Sequence, residues 1–319
     1  MPHDHSHPNG HGHLDARSGD RRVSLAIWAN AVLTVAQIIG GVLSGSLALI
    51  ADALHNFSDI AALLIAFAAR KIARRPADAQ MTFGYARVEV VAALINYTSL
   101  VIIGLFLIYE GGMRLLDPPE VAGWTVVIVA CLALLVDALT AVLTYSMQKD
   151  SVNIRALFLH NLSDALASGA VALGGGLIIL YDWRLIDPIV TIGIASYILY
   201  LALREITAPI RMLMLGSPAD IDNVAVITAV SRIEGVARLH HVHFWQMQEH
   251  QPALDVHVVL TGDGWQRQEQ VKAAIKQTLN TEFGIRHSTL EFETEALAGD
   301  GVTLYGCAPT DPEAPTEGS

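Results

Sequence analysis

Two stretches of this chain set ionisable side chains among hydrocarbon. In DALHNFSDIAAL, residues 52–63, His55 and Asp59 stand four apart; in LFLHNLSDALAS, residues 157–168, His160 and Asp164 repeat the spacing. On a helix, that separation puts both side chains on one face. An ionisable group deep in hydrocarbon costs about 2.5–3.5 kcal/mol even on insertion scales, so all four need partners. Two facing helices would bring two imidazoles and two carboxylates together. That donor set suits tetrahedral Zn²⁺, with bonds of about 2.0–2.2 Å. The plainer alternative is a pair of interhelical hydrogen bonds that only hold a bundle together, and the matched duplication weighs against it.

Other polar residues sit nearby. Asp52, one turn before His55, either accepts from the imidazole and fixes its tautomer or caps the start of the helix. Asn56 and Asn161 read as polar contacts between helices. Asp137, in LLVDALT, is a further carboxylate in an apolar run, with no partner evident in the sequence.

To hold such residues inside a bilayer, helices of about 20 mostly apolar residues are required. Six segments qualify, near residues 22–45, 49–70, 88–112, 123–147, 154–181 and 187–209. The chain of 319 residues is 52% hydrophobic and 16% charged, against about 25% charged in soluble domains. The shortfall is concentrated in residues 1–215, and 216–319 reads as an acidic aqueous domain. A net charge of −11 with no basic patch excludes a nucleic-acid partner. The first twenty residues lack the apolar core of a cleavable signal peptide. Cys131 and Cys307 lie far apart and are expected to stay unpaired.

Lys and Arg in the connections predict orientation. Arg17, Arg21 and Arg22 precede the first span; Arg70, Lys71, Arg74, Arg75 and Arg87 flank the second connection; Lys149 and Arg155 flank the fourth; Arg204 and Arg211 follow the sixth. The opposite connections carry only Arg114 and Arg184. Both termini are therefore expected in the cytoplasm.

Beyond residue 216 the periodicity predicts a helix, two alternating strands, a second helix and a last strand. The fold class expected is an α-helical membrane protein of six transmembrane helices followed by a small α+β (αββαβ) cytoplasmic domain. The domain boundaries expected are a disordered His-rich tail at 1–20, the membrane domain at 21–211, the cytoplasmic domain at 212–296 and a disordered tail at 297–319. His240, His241 and His243 fall in one strand and His257 in the next. Strict alternation puts His241 and His243 on one face and His240 on the other, unless a bulge intervenes. Glu291 and Glu293 share a face of the last strand.

Six spans, ADALHNFSD in the second, FGYARVE leading into the third, LHNLSDALAS in the fifth, DP opening the sixth and the αββαβ domain together resemble the cation diffusion facilitators, in particular their bacterial zinc exporters. The resemblance covers residues 15 to about 295. It implies a homodimeric metal/proton antiporter in the inner (plasma) membrane that exports divalent metal, chiefly Zn²⁺, with its transport site at His55, Asp59, His160 and Asp164. Relatives also place zinc on the cytoplasmic strands. Carried over, LHHVHFW supplies His240 and His243, LDVHVVL supplies His257, and HSTLEFE supplies His287 and Glu293; Cys307 falls where some relatives bring a thiolate. Zn²⁺ is then both substrate and regulatory ion. Some relatives hold a second metal between spans two and three with an Asp and two His. Here Asp78 is present but Met81 and Tyr85 stand at the His positions, so no strong site is expected and Asp78 reads as a loop cap. The opening HDHSHPNGHGH reads as a metal-gathering tail.

Imidazole and carboxylate must be deprotonated to bind metal, so protons and metal compete for one site. Cd²⁺, Co²⁺ and Ni²⁺ also suit this donor set, while Mn²⁺ prefers more oxygen. Two other classes fit the residues less well. A membrane metalloenzyme would keep an open coordination position and a spare base, and neither is evident. A metal sensor would need an effector domain.

Overall fold

A computed structural model describes residues 16–145, 152–248, 251–298 and 303–305. The His-rich stretch 1–15, Lys149, His250 and Cys307 lie outside the described residues. Six long helices come first: α1 (Ala16–Ser44), α2 (Leu47–Ala73), α3 (Val88–Leu116), α4 (Gly123–Tyr145), α5 (Val152–Tyr181) and α6 (Ile186–Glu205). Among the described residues, five helices are long and apolar enough to cross a membrane, and α1 adds the apolar stretch Asn30–Ser44. The six expected spans therefore coincide with six helices. One boundary differs: helix α1 already begins at Ala16, inside the stretch expected to be disordered.

The chain forms two compact units, Met1–Ile65 with Ile95–Arg204, and Ala66–Leu94 with Glu205–Ser319. In the first, Leu49, Leu107, Val126, Val171, Ala195 and Ile198 make a common core. Ala48, Ala51 and Ala130 belong to the same cluster, and small residues of this kind let backbones approach. Gly175 of α5 shows how close: a Cβ there would lie 2.9 Å from Val127 Cγ2 of α4. Outward, Trp28, Phe106, Leu135, Leu173 and Leu180 are exposed. Helices that are apolar on their outer faces too have hydrocarbon, not water, as their solvent.

The start of α2 is held by α6. Asp187, 3% exposed, accepts from Leu47 N at 2.8 Å and Ala48 N at 3.4 Å, and from Ser46 Oγ. The first amides of a helix have no intrahelical partner, and a carboxylate there also meets the positive end of the helix dipole. This cap fixes the helix that carries His55 and Asp59.

The second unit contains α7 (Thr207–Leu213), α8 (Asn223–Ser231), β1 (Val236–Gln248), β2 (Gln251–Leu260), α9 (Gly262–Gln266), α10 (Gln268–Phe283) and β3 (His287–Thr294). The expected αββαβ order is present, with α9 as an added single turn. The sheet order is β1-β2-β3, antiparallel then parallel. Leu254, Val256, Val258 and Leu260 of β2 pack with Val226 and Val230 of α8 and Val271, Ile275 and Leu279 of α10. Alternation therefore turns His257 to the face without helices.

On β1 the pairing skips from His240↔His257 to His243↔Asp255, so three steps on β1 match two on β2. His241 is the extra residue, with φ 51°. The bulge resets the alternation: Val242 and Phe244 join the core while His240 and His243 share the helix-free face. Strict alternation had opposed these two. The amides freed at the bulge bond elsewhere, His241 N to Thr303 O at 3.2 Å and Val242 N to Leu304 O at 2.9 Å. Residues 303–305, expected in a disordered tail, are thus paired to β1, because buried backbone amides need acceptors.

Residues 66–94 belong to this unit. Asp78 accepts from Gln80 N at 2.8 Å, Met81 N at 2.9 Å and Tyr85 Oη at 2.7 Å. It is the loop cap expected, and these bonds hold its carboxyl below the usual carboxylate range. Arg87 donates to the carbonyls of Met247 at 2.9 Å and Gln246 at 3.1 Å, tying this loop to the end of β1.

Candidate metal centre

His55 is the ninth residue of α2 and His160 the ninth of α5; Asp59 and Asp164 follow four later in each. The side chains meet crosswise. His55 Nε2 lies 3.3 Å from Asp164 Oδ1 and 3.9 Å from Asp59 Oδ2; His160 Nε2 lies 3.4 Å from Asp59 Oδ2 and 3.5 Å from Asp164 Oδ2. The four residues thus form a ring in which Asp164 offers a different oxygen to each imidazole, and His55, Asp59 and His160 offer single ligand atoms within 4.8 Å of one another. Crosswise pairing of a repeated His-x-x-x-Asp is what two antiparallel helices give.

These spacings are long for hydrogen bonds. A tetrahedral ion with bonds of about 2.0–2.2 Å would separate its ligands by about 3.3–3.6 Å. Three of the four spacings fall in that interval. Asp164 Oδ1 is buried and accepts no hydrogen bond among the described residues. A cavity of about 410 Å³ reaches His55 and Asp164 along Ser163 and Ala167 of α5 and Val190 and Tyr197 of α6.

Asp52 does not fix the His55 tautomer. Its Oδ2 accepts from Gln37 Nε2 of α1 at 2.6 Å and from Ser168 Oγ of α5 at 3.0 Å, while His55 Nδ1 is buried without a hydrogen-bond partner among the described residues. Nor is it a cap, since α2 begins five residues earlier, at Leu47. Asn56 is the interhelical contact expected, donating to Gln37 Oε1 at 3.1 Å. Asp137 gains the partner the sequence did not show: Ser168 Oγ lies 3.0 Å from its Oδ2. Gln37 and Ser168 were missed because a lone amide or hydroxyl in an apolar helix carries no spacing signal.

The second cluster is on the sheet. Glu293 bridges two imidazoles, with Oε2 2.9 Å from His240 Nε2 and Oε1 2.6 Å from His257 Nδ1. Burial pushes the Glu293 carboxyl up, but the two histidine contacts outweigh it and hold the group below its usual range. These three residues offer ligand atoms within 4.8 Å of one another. Glu291 Oε2 lies 3.4 Å from His257 Nε2. His243 is not brought to Glu293; its Nε2 is 3.1 Å from His241 Nε2, and the His241 ring stacks 4.7 Å from that of His257. His241 therefore joins the row through the bulge. His287 opens β3 opposite Ala253, exposed, and joins neither ligand group among the described residues.

A polar ring inside a helical membrane unit is thus followed by a small histidine-bearing sheet domain. Residues 23–214 match the cation efflux transmembrane domain and 218–295 the cation efflux protein cytoplasmic domain. The chain belongs to the cation diffusion facilitator family. It is 32% identical over 291 residues to the metal cation efflux system protein CzcD of Cupriavidus metallidurans, covering 91% of this chain and 89% of that one. It is 32% identical over 306 residues to the zinc transporter ZitB of Escherichia coli, covering 95% and 96%. With the cadmium, cobalt and zinc/H(+)-K(+) antiporter of Bacillus subtilis it shares 34% over 278 residues, covering 86% and 88%. A solved metal-bound C-terminal domain of the Cupriavidus metallidurans CzcD transporter is 30% identical and covers 23% of this chain and 99% of its own, at a TM-score of 0.22. The chain is a multi-pass membrane protein of divalent metal efflux.

Proposed function

We propose that this exporter moves Zn²⁺ out of the cytoplasm in exchange for protons, through a tetrahedral site made by His55, Asp59, His160 and Asp164. The observation that supports the reading is the meeting of His55, Asp59 and His160 at ligand-to-ligand spacing, with Asp164 3.3 Å from His55 and 3.5 Å from His160. The relatives named above, a zinc transporter and a cadmium, cobalt and zinc/H(+)-K(+) antiporter, agree with it. Each ligand binds metal only when deprotonated, so metal arrival expels protons and returning protons expel metal. Motion of α2 against α5 would open the ring, because each helix supplies half of the ligands.

The remaining assignments belong to the same reading. His240, His257 and Glu293 bind regulatory zinc on the sheet, with His241, His243 and Glu291 beside them and His287 open to a second copy in a homodimer. Both termini lie in the cytoplasm, as the excess of Lys and Arg on that side supports. Residues 1–14 gather metal.

The test is zinc uptake into sealed proteoliposomes with an imposed pH gradient and a panel of Zn²⁺, Cd²⁺, Co²⁺, Ni²⁺ and Mn²⁺. Uptake should follow the gradient, favour Zn²⁺ and vanish in Asp164→Ala, whose zinc affinity should fall by about 100-fold or more, beyond the range of changes behind a ligand. Near-normal uptake by that variant would dismiss the site.

A further inference from the structure

One turn from the metal ring, on both helices that carry it, lies a second polar cluster. Asp52 precedes His55 by three residues on α2, and Ser168 follows Asp164 by four on α5. Gln37 and Ser168 are fully buried, Asp52 is 1% exposed and Asp137 of α4 is 5% exposed. Ser168 Oγ stands 3.0 Å from Asp52 Oδ2 and 3.0 Å from Asp137 Oδ2. A hydroxyl has one proton to give. If both carboxyls were ionised, one of these two contacts would set lone pair against lone pair, with two negative charges no more than about 6 Å apart in a low-dielectric interior.

Among the described residues, the other neighbours do not supply the missing donor. Gln37 Nε2 donates to the same Asp52 oxygen at 2.6 Å, and Gln37 Oε1 is taken by Asn56. Asp52 Oδ1 is buried with no partner among the described residues. Helix α1 brings no ionisable side chain between Asn30 and Ser44. The titratable groups facing the cluster are His55 and Asp59 on α2 and His160 and Asp164 on α5, all one or two turns away. The geometry is complete with one proton added: one carboxyl donates to Ser168 Oγ, and the hydroxyl donates to the other.

We propose that Asp52, Ser168 and Asp137 form a proton-holding site, separate from the four metal ligands, that keeps one proton between two carboxyls and releases it when metal binds one turn away. This rests on the proton-coupled reading above and assigns part of the coupling to residues that never touch the ion. In the held state the trio carries one negative charge. Transfer within it breaks one carboxyl O–H bond and forms another, the hydroxyl passing its own proton on and taking the incoming one, so the charge is unchanged. Metal binding places two positive charges about 5 Å along the helix axis, which favours loss of that proton and a second negative charge. Because α2, α4 and α5 each contribute one group, the bridge also reports whether these helices are in register.

The test counts protons released per zinc bound by the full-length purified protein, from calorimetric titrations in buffers of different ionisation heat. Asp137→Asn and Asp52→Asn should each release about one proton fewer than the parent, with zinc affinity changed by less than about threefold. The double variant should also be short by about one, because the two carboxyls share a single proton. Deficits that add to about two would show independent acids and overturn the proposal, as would an unchanged count in either single variant. Should an Asn variant not fold, Ser168→Ala serves instead. It should keep the proton count but shift the pH midpoint of release by about one unit, and an unmoved midpoint would count against the bridge. A parent protein that releases no proton on binding zinc would overturn the antiport reading itself, and that outcome is read before any variant is made.

Discussion

Removing the Asp187 carboxylate tests whether the site depends on a long-range cap, an acid of α6 closing the first turn of α2. In Asp187→Ala, Leu47 N–H loses its acceptor at 2.8 Å and Ala48 N–H its weaker one at 3.4 Å. A buried amide left unpaired costs about 1–3 kcal/mol, and loss of a negative charge at a helix N-terminus adds about 0.3–1 kcal/mol. Ser46 can recover part of this, since its hydroxyl already accepts from Leu49 N at 3.1 Å. The net expectation is about 2–4 kcal/mol, a fall in melting temperature of about 5–15 °C for a unit of this size. Asp187→Asn keeps one acceptor oxygen and should lose about half as much. Tryptophan fluorescence during heating in detergent micelles reads the change, because Trp28, Trp124 and Trp183 all belong to the membrane unit. Zinc affinity should weaken together with the melting temperature, as the first turn of α2 frays eight residues before His55. A melting temperature within about 2 °C of the parent in Asp187→Ala would show that α2 is held by its apolar packing alone.

Three further outcomes are expected. His55→Asp turns the ring into one nitrogen and three oxygens, which should move selectivity from Zn²⁺ towards Mn²⁺ and Cd²⁺ in the vesicle assay; an unchanged metal ratio would mean that this imidazole does not set selectivity. Glu293 has its pKa depressed in the folded protein, so its contribution to stability is present above the ordinary carboxylate value and is lost as pH falls through the depressed one. Without metal, Glu293→Gln should therefore melt below the parent at pH 7 and converge with it below about pH 4, and parallel curves across that range would remove the histidine contacts as a source of stability. A Cβ on Gly264 would lie 2.2 Å from Gly235 O, whereas one on Gly262 meets nothing within 4 Å. Gly264→Ala should cost about 3 kcal/mol or more and Gly262→Ala little, and equal melting curves for the two would refute that packing.

The elements were legible wherever the signal is local. Apolar runs marked each span to within a few residues, since a helix in hydrocarbon must be apolar along its whole length. The doubled His-x-x-x-Asp marked four residues that meet, while their crosswise pairing follows from how α2 and α5 pack. Where the signal is not local the reading stopped. Proximity in sequence offers Asp52 either to His55 or to the helix start, yet it faces Gln37, fifteen residues back, and Ser168, far ahead. Alternation opposed His240 to His243, and a single residue with φ 51° reversed that. The pairing of residues 303–305 answers amides that only the bulge exposes.

The residues alone determined that this chain spans a membrane many times, that two imidazoles and two carboxylates must find one another there, and that a small αββαβ domain follows. Composition and periodicity decide such matters because hydrocarbon excludes unpartnered charge and each helix or strand shows its period. Tertiary structure alone decided which polar group answers which. Asp187 reaches back across 140 residues to Leu47, and one hydroxyl of Ser168 stands between Asp52 and Asp137. Hydrogen bonds are short-ranged and directional, so their partners are set by how helices pack, and packing is a property of the whole bundle.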